Sequence, residues 1–254
     1  MVSNDLSALL NQTVMLVAQT LELEYCHLLE LEPGSKHLLL RAGVGWKDGQ
    51  VGKTVIAADP QTEAGYALTA GEAVVFEDLA RETRFRASTL LTDHGVASGM
   101  SVAIAGHGQA FGVLGAHTAR RRKFTEDEIH FLFSLATVLA MAVERIRAET
   151  QLQKLAAFAK LNPNPAMELT SGGAITYFND AAHKLGESVG REHPRELLPP
   201  NVEAIVRSCL EAGRSLVDLQ TVFGGRTLCW SFHPVAASQV VHCYVEDITD
   251  RLNL

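Results

Sequence analysis

Leu6, Leu9, Leu10, Val14, Val17 and Leu21 recur at helical spacing, which predicts an N-terminal helix capped by Ser3 or Asn4. Apolar runs at 25–31 and 37–44 flank Pro33-Gly34-Ser35 and predict a strand hairpin. The stretch 45–60 carries several glycines and no period, so it reads as irregular. A short helix over 61–70 ends at Gly71, and a short strand follows at 73–77. A further short helix is expected at 85–93, stopped by His94-Gly95. Two apolar strands, 99–105 and 110–117, are joined by the glycine-flanked turn Gly106-His107-Gly108-Gln109. This order fits a central antiparallel sheet with helices on one face.

The next segment predicts a long helix. Thr125 with Glu128 three residues on makes a capping box. Leu132, Ala136, Leu139, Val143 and Ile146 then step by 4, 3, 4 and 3, a heptad seam. The seam breaks at Thr150 and Gln153, while Leu152, Leu155 and Ala159 carry a shifted stripe, as in a stutter. One helix from about 125 to about 160 would be roughly 50 Å long. A parallel homodimer through this seam would bury it; the alternative is a helix folded back over its own sheet.

Past Asn162-Pro163-Asn164-Pro165 the pattern turns to short strands at 166–169, 174–178, 216–223, 227–233 and 240–245. Helical pieces at 180–185 and 202–212 fall between the second and third strands, punctuated by Pro194, Pro199 and Pro200. The chain therefore divides into a domain over 1–148, whose last helix continues to about 160, and a second α+β domain over 161–254.

Composition agrees with that division. A chain of 254 residues accommodates two domains of ordinary size. With 47% hydrophobic and 20% charged residues it is globular rather than disordered. The net charge of −7 argues against a nucleic-acid surface. The one dense basic run, Arg120-Arg121-Arg122-Lys123, reads as a solvated turn. Cys26, Cys209, Cys229 and Cys243 show no C-x-x-C spacing and suit a reducing cytoplasm. The N-terminus lacks the basic and apolar regions of a signal peptide. No uninterrupted apolar run reaches the ~18 residues of a membrane span. A soluble, cytoplasmic protein is expected.

Two segments carry family resemblance. The sequence Gly172-Gly173-Ala174-Ile175-Thr176-Tyr177-Phe178-Asn179-Asp180, together with the ending Asp247-Ile248-Thr249-Asp250-Arg251, resembles a PAS sensory domain. Upstream, Gly95-Val96-Ala97-Ser98, the strand to Ile104, Gly112-Val113-Leu114-Gly115-Ala116 and Phe124-Thr125-Glu126-Asp127-Glu128 are similar to GAF motifs in the same order. A GAF–PAS tandem resembles the input end of bacterial sensor histidine kinases and diguanylate cyclases. The resemblance implies a non-catalytic module that binds a small ligand and relays it through a dimeric helix to an output kinase or cyclase, fused or separate. A pure dimerisation scaffold is the rival reading. Several family chemistries lack their residues: the cyclic-nucleotide signature, a bilin or flavin cysteine, and the cysteine set of the sulfoxide reductases.

By strand alternation and family position, the first pocket is assigned to Trp46, Tyr66, Phe85, His94, Met100 and His117. The second is assigned to Phe178, His183, Leu185, Trp230, Phe232 and Tyr244. The resemblance leaves haem open at His94 or His183, since a neutral imidazole beside an apolar cavity can ligate iron. Otherwise no cofactor is indicated. No phosphate loop, H-E-x-x-H or zinc spacing occurs. Cys229 and Cys243 lie on strands expected to pair, close enough for a redox bond in principle, although reduced thiols are the expectation.

Overall fold

The computed structural model describes residues 2–252 and forms two compact units, Met1–Thr150 and Gln151–Leu254. The first unit runs α1 (Val2–Leu21), β1 (Tyr25–Leu31), β2 (His37–Val44), β3 (Val55–Ala57), α2 (Glu63–Ala70), β4 (Val74–Phe76), α3 (Thr89–Thr92), β5 (Ser98–Ile104), β6 (Gly112–Thr118) and α4 (Glu126–Leu161). Its six strands form one antiparallel sheet in the order β3-β2-β1-β6-β5-β4. The residue range 45–60 is not wholly irregular, because β3 edges the sheet there. α1 begins at Val2, ahead of Ser3 and Asn4, whose side chains lie outside the described residues.

Helices cover both faces of this sheet, not one as the pattern suggested. On one face Met100, Val102, Ile104, Leu114 and Ala116 meet Leu10, Val14 and Val17 of α1 and Leu132, Ala136, Leu139 and Val143 of α4. On the other, Leu38, Leu40 and Val113 meet Ala64 and Ala67 of α2, with Phe76, Phe85, Leu90 and Leu91. The sequence carries the reason. Every residue of β6 is buried, so that strand needs two covers.

α4 starts as its capping box dictates. The Thr125 N–H donates to Glu128 Oε2 at 2.8 Å and the Glu128 N–H returns to Thr125 Oγ1 at 3.3 Å. Arg122 pairs with the same Glu128 carboxylate. The heptad seam assigned to a dimer is taken up within the unit. Leu132, Ala136, Leu139 and Val143 are buried against its own sheet and α1, and Ile146 is half-buried. The exposed apolar positions lie on a different stripe: Val138 (62%), Met141 (71%), Leu152 (66%) and Leu155 (59%). By length and composition an 18-residue window of α4, mean hydropathy 1.6, is apolar enough to cross a membrane, which a search for uninterrupted apolar runs does not register. Its buried stripe packs into the core of the first unit.

The second unit continues with β7 (Ala166–Thr170), β8 (Ile175–Phe178), α5 (Asp180–Ser188), α6 (Val202–Ala212), β9 (Leu216–Phe223), β10 (Arg226–Val235), β11 (Val240–Asp247) and α7 (Thr249–Leu252). Its antiparallel sheet has the order β8-β7-β11-β10-β9, with the helices inserted after the second strand. Trp230, Phe232, Leu169, Val241 and Cys243 fill the inner face beneath Leu197 and Val206. Buried Asn179 ties the entry down, donating to the carbonyls of Asn162 and Asn164 and accepting from the N–H groups of Ala166 and Ala182. The closing Asp247-Ile248-Thr249 segment folds onto β10: Ile248 N–H donates to Thr227 O at 2.9 Å and Thr227 N–H to Thr249 Oγ1 at 2.9 Å.

Candidate functional site

The α2-facing side of the first sheet carries a cluster of polar groups in an otherwise apolar layer. Pairing aligns His27 of β1 with Gly115 of β6, and Gly115 with Ser101 of β5, so the three share one cross-strand row. His117 lies two residues on, on the same face, its ring centroid 4.8 Å from that of His27. The glycines make this possible. A Cβ on Gly115 would strike the Nε2 atoms of both histidines, so the two imidazoles converge over a residue with no side chain. A Cβ on Gly99 would strike His117 in the same way.

α2 is the lid. Thr62 caps it by accepting from the Gly65 N–H, and backbone bonds from Glu63 to Arg86 and from Arg86 to Gln61 stitch its start to the following loop. This places Glu63, 2% exposed, beside Ser101. Burial pushes the Glu63 carboxyl up to about 7, and the Ser101 hydroxyl pulls it partly back although the two do not meet hydrogen-bond geometry. Burial pushes His27 down to about 3. Burial, then the neighbouring His27, hold His117 well below the usual histidine range. Around neutrality both imidazoles are uncharged and Glu63 is poised between its two forms.

Among the described residues, the buried side-chain polar atoms without a hydrogen-bond partner are both ring nitrogens of His27 and of His117, Glu63 Oε1 and Ser101 Oγ. All six belong to this cluster. An unpaired buried polar group costs about 1–3 kcal/mol, so their concentration in one place calls for an occupant. Aromatic rings wall the cluster. Trp46 lies 5.8 Å from His27 and 6.3 Å from His117, and Phe76 lies 5.9 Å from His117, all by ring centroid. The arrangement offers donors and acceptors from two neutral imidazoles, a hydroxyl and a carboxyl that titrates near neutrality. No three His, Cys, Asp or Glu side chains stand together as a metal set among the described residues. Nor does Ser101 bond to either histidine as a nucleophile and base would.

Of the six residues assigned to this pocket, His117 is central and Trp46 borders it, its Nε1 held by the Cys26 carbonyl at 2.7 Å. Phe85 and Tyr66 lie nearby, tilted against each other with centroids 5.7 Å apart, under the Arg84 guanidinium. Met100 does not line it. Its side chain points to the opposite face, toward α1 and α4, because β5 alternates and Ser101 takes the pocket side. His94 is no free ligand. Its Nδ1 donates to Leu90 O at 2.8 Å and its Nε2 accepts from the Lys47 N–H at 3.0 Å, leaving no lone pair for iron. Sequence reasoning missed His27, Glu63 and Ser101. The signal for His27 and Ser101 was the glycine opposite both, Gly115, in a strand otherwise apolar.

In the second unit Trp230 and Phe232 stack at 6.3 Å and are fully buried, with Trp230 Nε1 donating to Thr221 Oγ1 at 2.7 Å. They fill the inner face, with Leu185 buried among the same core. Phe178 packs edge-on against His193 at 5.0 Å. His183 is exposed and lies 3.6 Å from Glu187 of its own helix. The cavity it borders is lined by Glu187, Gly190, Arg191 and Glu192, charged and polar groups that do not make the apolar pocket haem needs. Tyr244 pairs with Ser231 and points to the outer face, opposite Trp230. Cys229 and Cys243 are free and, by the same alternation, face opposite sides of the sheet.

The model of the GAF domain family matches residues 5–143. No curated protein matches the chain. Among solved structures, the GAF domain of a phosphoenolpyruvate-protein phosphotransferase from Coxiella burnetii is 21% identical with a TM-score of 0.53, over 57% of this chain and 86% of that one. The blue-light absorbing PixJ GAF domain of Thermosynechococcus elongatus is 20% identical with a TM-score of 0.50, over 61% and 94%. Residues 122 to 287 of a methyl-accepting chemotaxis protein are 20% identical with a TM-score of 0.50, over 56% and 91%. At these identities the likeness is one of fold.

Proposed function

The chain belongs to the GAF domain family, and from that premise we propose that it is a non-catalytic sensory module whose first unit binds a small, uncharged molecule at the His27–His117–Glu63–Ser101 cluster. The observation that carries this reading is the gathering of all six unpartnered buried polar atoms at one place beneath α2. Structures sharing the fold include parts of a chemotaxis protein and of a light-absorbing protein, company that fits sensing. A ligand with both donors and acceptors would satisfy the cluster and tighten α2 on the sheet, and the free energy of that closure is the signal available for relay.

The second unit is read as PAS-like. Its five antiparallel strands, the helices inserted after the second, and the Asp247-Ile248-Thr249 close support this. Its inner face is filled by Trp230 and Phe232, which favours a role in contact and relay over ligand binding there. The dimer helix is reassigned to the exposed positions Val138, Met141, Ala148, Leu152 and Leu155, which step by 3, 7, 4 and 3 around Arg145. An output kinase or cyclase and a cytoplasmic setting with reduced thiols complete the proposal.

The test is mass spectrometry of what the purified protein releases on denaturation, with a thermal-shift screen of neutral metabolites beside it. A stoichiometric released molecule, absent from a His117→Phe variant that still folds, is the expected result. No released molecule and no stabilising compound at the first unit would overturn the reading.

A further inference from the structure

The second unit has a cavity on the side of its sheet away from the Trp230–Phe232 core. It measures about 570 Å³, within the ordinary range of small-molecule sites. One wall is the last turns of α4 and the other is the outer face of β7, β8 and β11. Alanines open it: Ala156 and Ala159 on the helix face Ala166 on the strand, where larger side chains would close the gap. Aromatic rings border it, with Phe158 from the helix and Tyr177 and Tyr244 from the sheet, all substantially exposed. A slot of small residues edged by rings accepts a flat aromatic body, which stacks on such rings with a gain of about 0.5–1.5 kcal/mol per pair beyond area burial.

Charge narrows the ligand further. Glu168 and His242, paired across β7 and β11, stand 3.4 Å apart in the cavity lining, and the Thr176 hydroxyl donates to Glu168 at 2.6 Å. The carboxylate is thus already engaged. Lys160 lines the same cavity from the helix and has no ion-pair partner among the described residues, so it is the cation available to a ligand. We propose that this cavity is a binding site for a flat aromatic molecule carrying an anionic group, a carboxylate or sulfonate directed at Lys160. It is independent of the polar cluster in the first unit. A bound ring would fasten the end of α4 to the sheet of the second unit.

The test is a fluorescence titration of the full chain with anilinonaphthalene sulfonate, in parallel with its uncharged analogue phenylnaphthylamine. One saturable sulfonate site per chain is expected. Ala159→Trp, which fills the slot, and Lys160→Glu should each weaken it about tenfold or more. Val222→Ser, exposed on β9 at the far edge of the same sheet, should leave it unchanged, with circular dichroism confirming that each variant folds. Equal affinity in Ala159→Trp, loss in Val222→Ser, or equal binding of the uncharged analogue would each overturn the proposal. So would sedimentation showing that Ala159→Trp splits a dimer, since the cavity would then be covered by a second copy.

Discussion

The two units solve the same packing problem in opposite ways. Each places a curled antiparallel sheet under helices, yet the second fills the inner face of its sheet with stacked Trp230 and Phe232. The first keeps one apolar face, against α1 and α4, and gives the middle of its other face to His27, Ser101 and His117 under Glu63. A face filled by apolar rings is stable and has no need of a ligand. One holding unsatisfied polar atoms is costly until something binds. The difference sets a filled inner face in one unit against a face with unsatisfied polar groups in the other.

The sharpest way to break this contrast is at the filled face. Trp230→Ala should destabilise the second unit by about 3–5 kcal/mol, read as a shifted denaturation transition with that of the first unit left in place. A loss spread equally over both units would sink the distinction.

Next comes the polar face, through pH. Glu63 has its folded pKa raised from 4.5 to about 7. The folded state therefore holds this proton more tightly than the unfolded chain, and the stability it confers is present below 4.5 and lost as pH rises through 7. Glu63→Gln removes that loss. It should match the parent at pH 4 and exceed it by about 3 kcal/mol at pH 8, measured by denaturant unfolding. His27 acts in the opposite sense, since its folded pKa is lowered from 6.5 to about 3. Its contribution is present above 6.5 and lost as pH falls toward 3, so His27→Leu should flatten the acid limb of the stability profile by up to one proton.

Smallest is the cap of α4. Thr125→Ala removes the hydroxyl that accepts from the Glu128 N–H and should cost about 1 kcal/mol in the first unit's transition. The second unit should not respond.

Much of the fold is legible in the sequence because periodicity and local signals agree. β1, β2, β9 and α6 fall where alternation or helical spacing put them, and the Thr125–Glu128 box fixes the start of α4 to within a residue. What a one-dimensional pattern cannot say is which surface a stripe meets. Leu132 to Val143 form a heptad seam whether the partner is another chain or the sheet beneath, and the sheet is what they meet. The site was half legible for a related reason. His117 and Trp46 stand out as large polar or aromatic groups beside glycines. Glu63 looks like an ordinary first-turn acid, and only the burial of α2 against β5 turns it inward. His94 shows the converse, since its position favoured a ligand role that its two backbone bonds remove.

Gly115 carries a consequence for descent. Because any β-carbon there collides with both imidazoles, positions 27, 115 and 117 are free to vary only as a set. A lineage that lost the histidines could refill 115 with a larger residue and keep the fold, having given up the buried imidazoles. One that retains the pair is bound to glycine. Co-inheritance of these three positions is thus the historical trace that the packed histidine pair would leave behind.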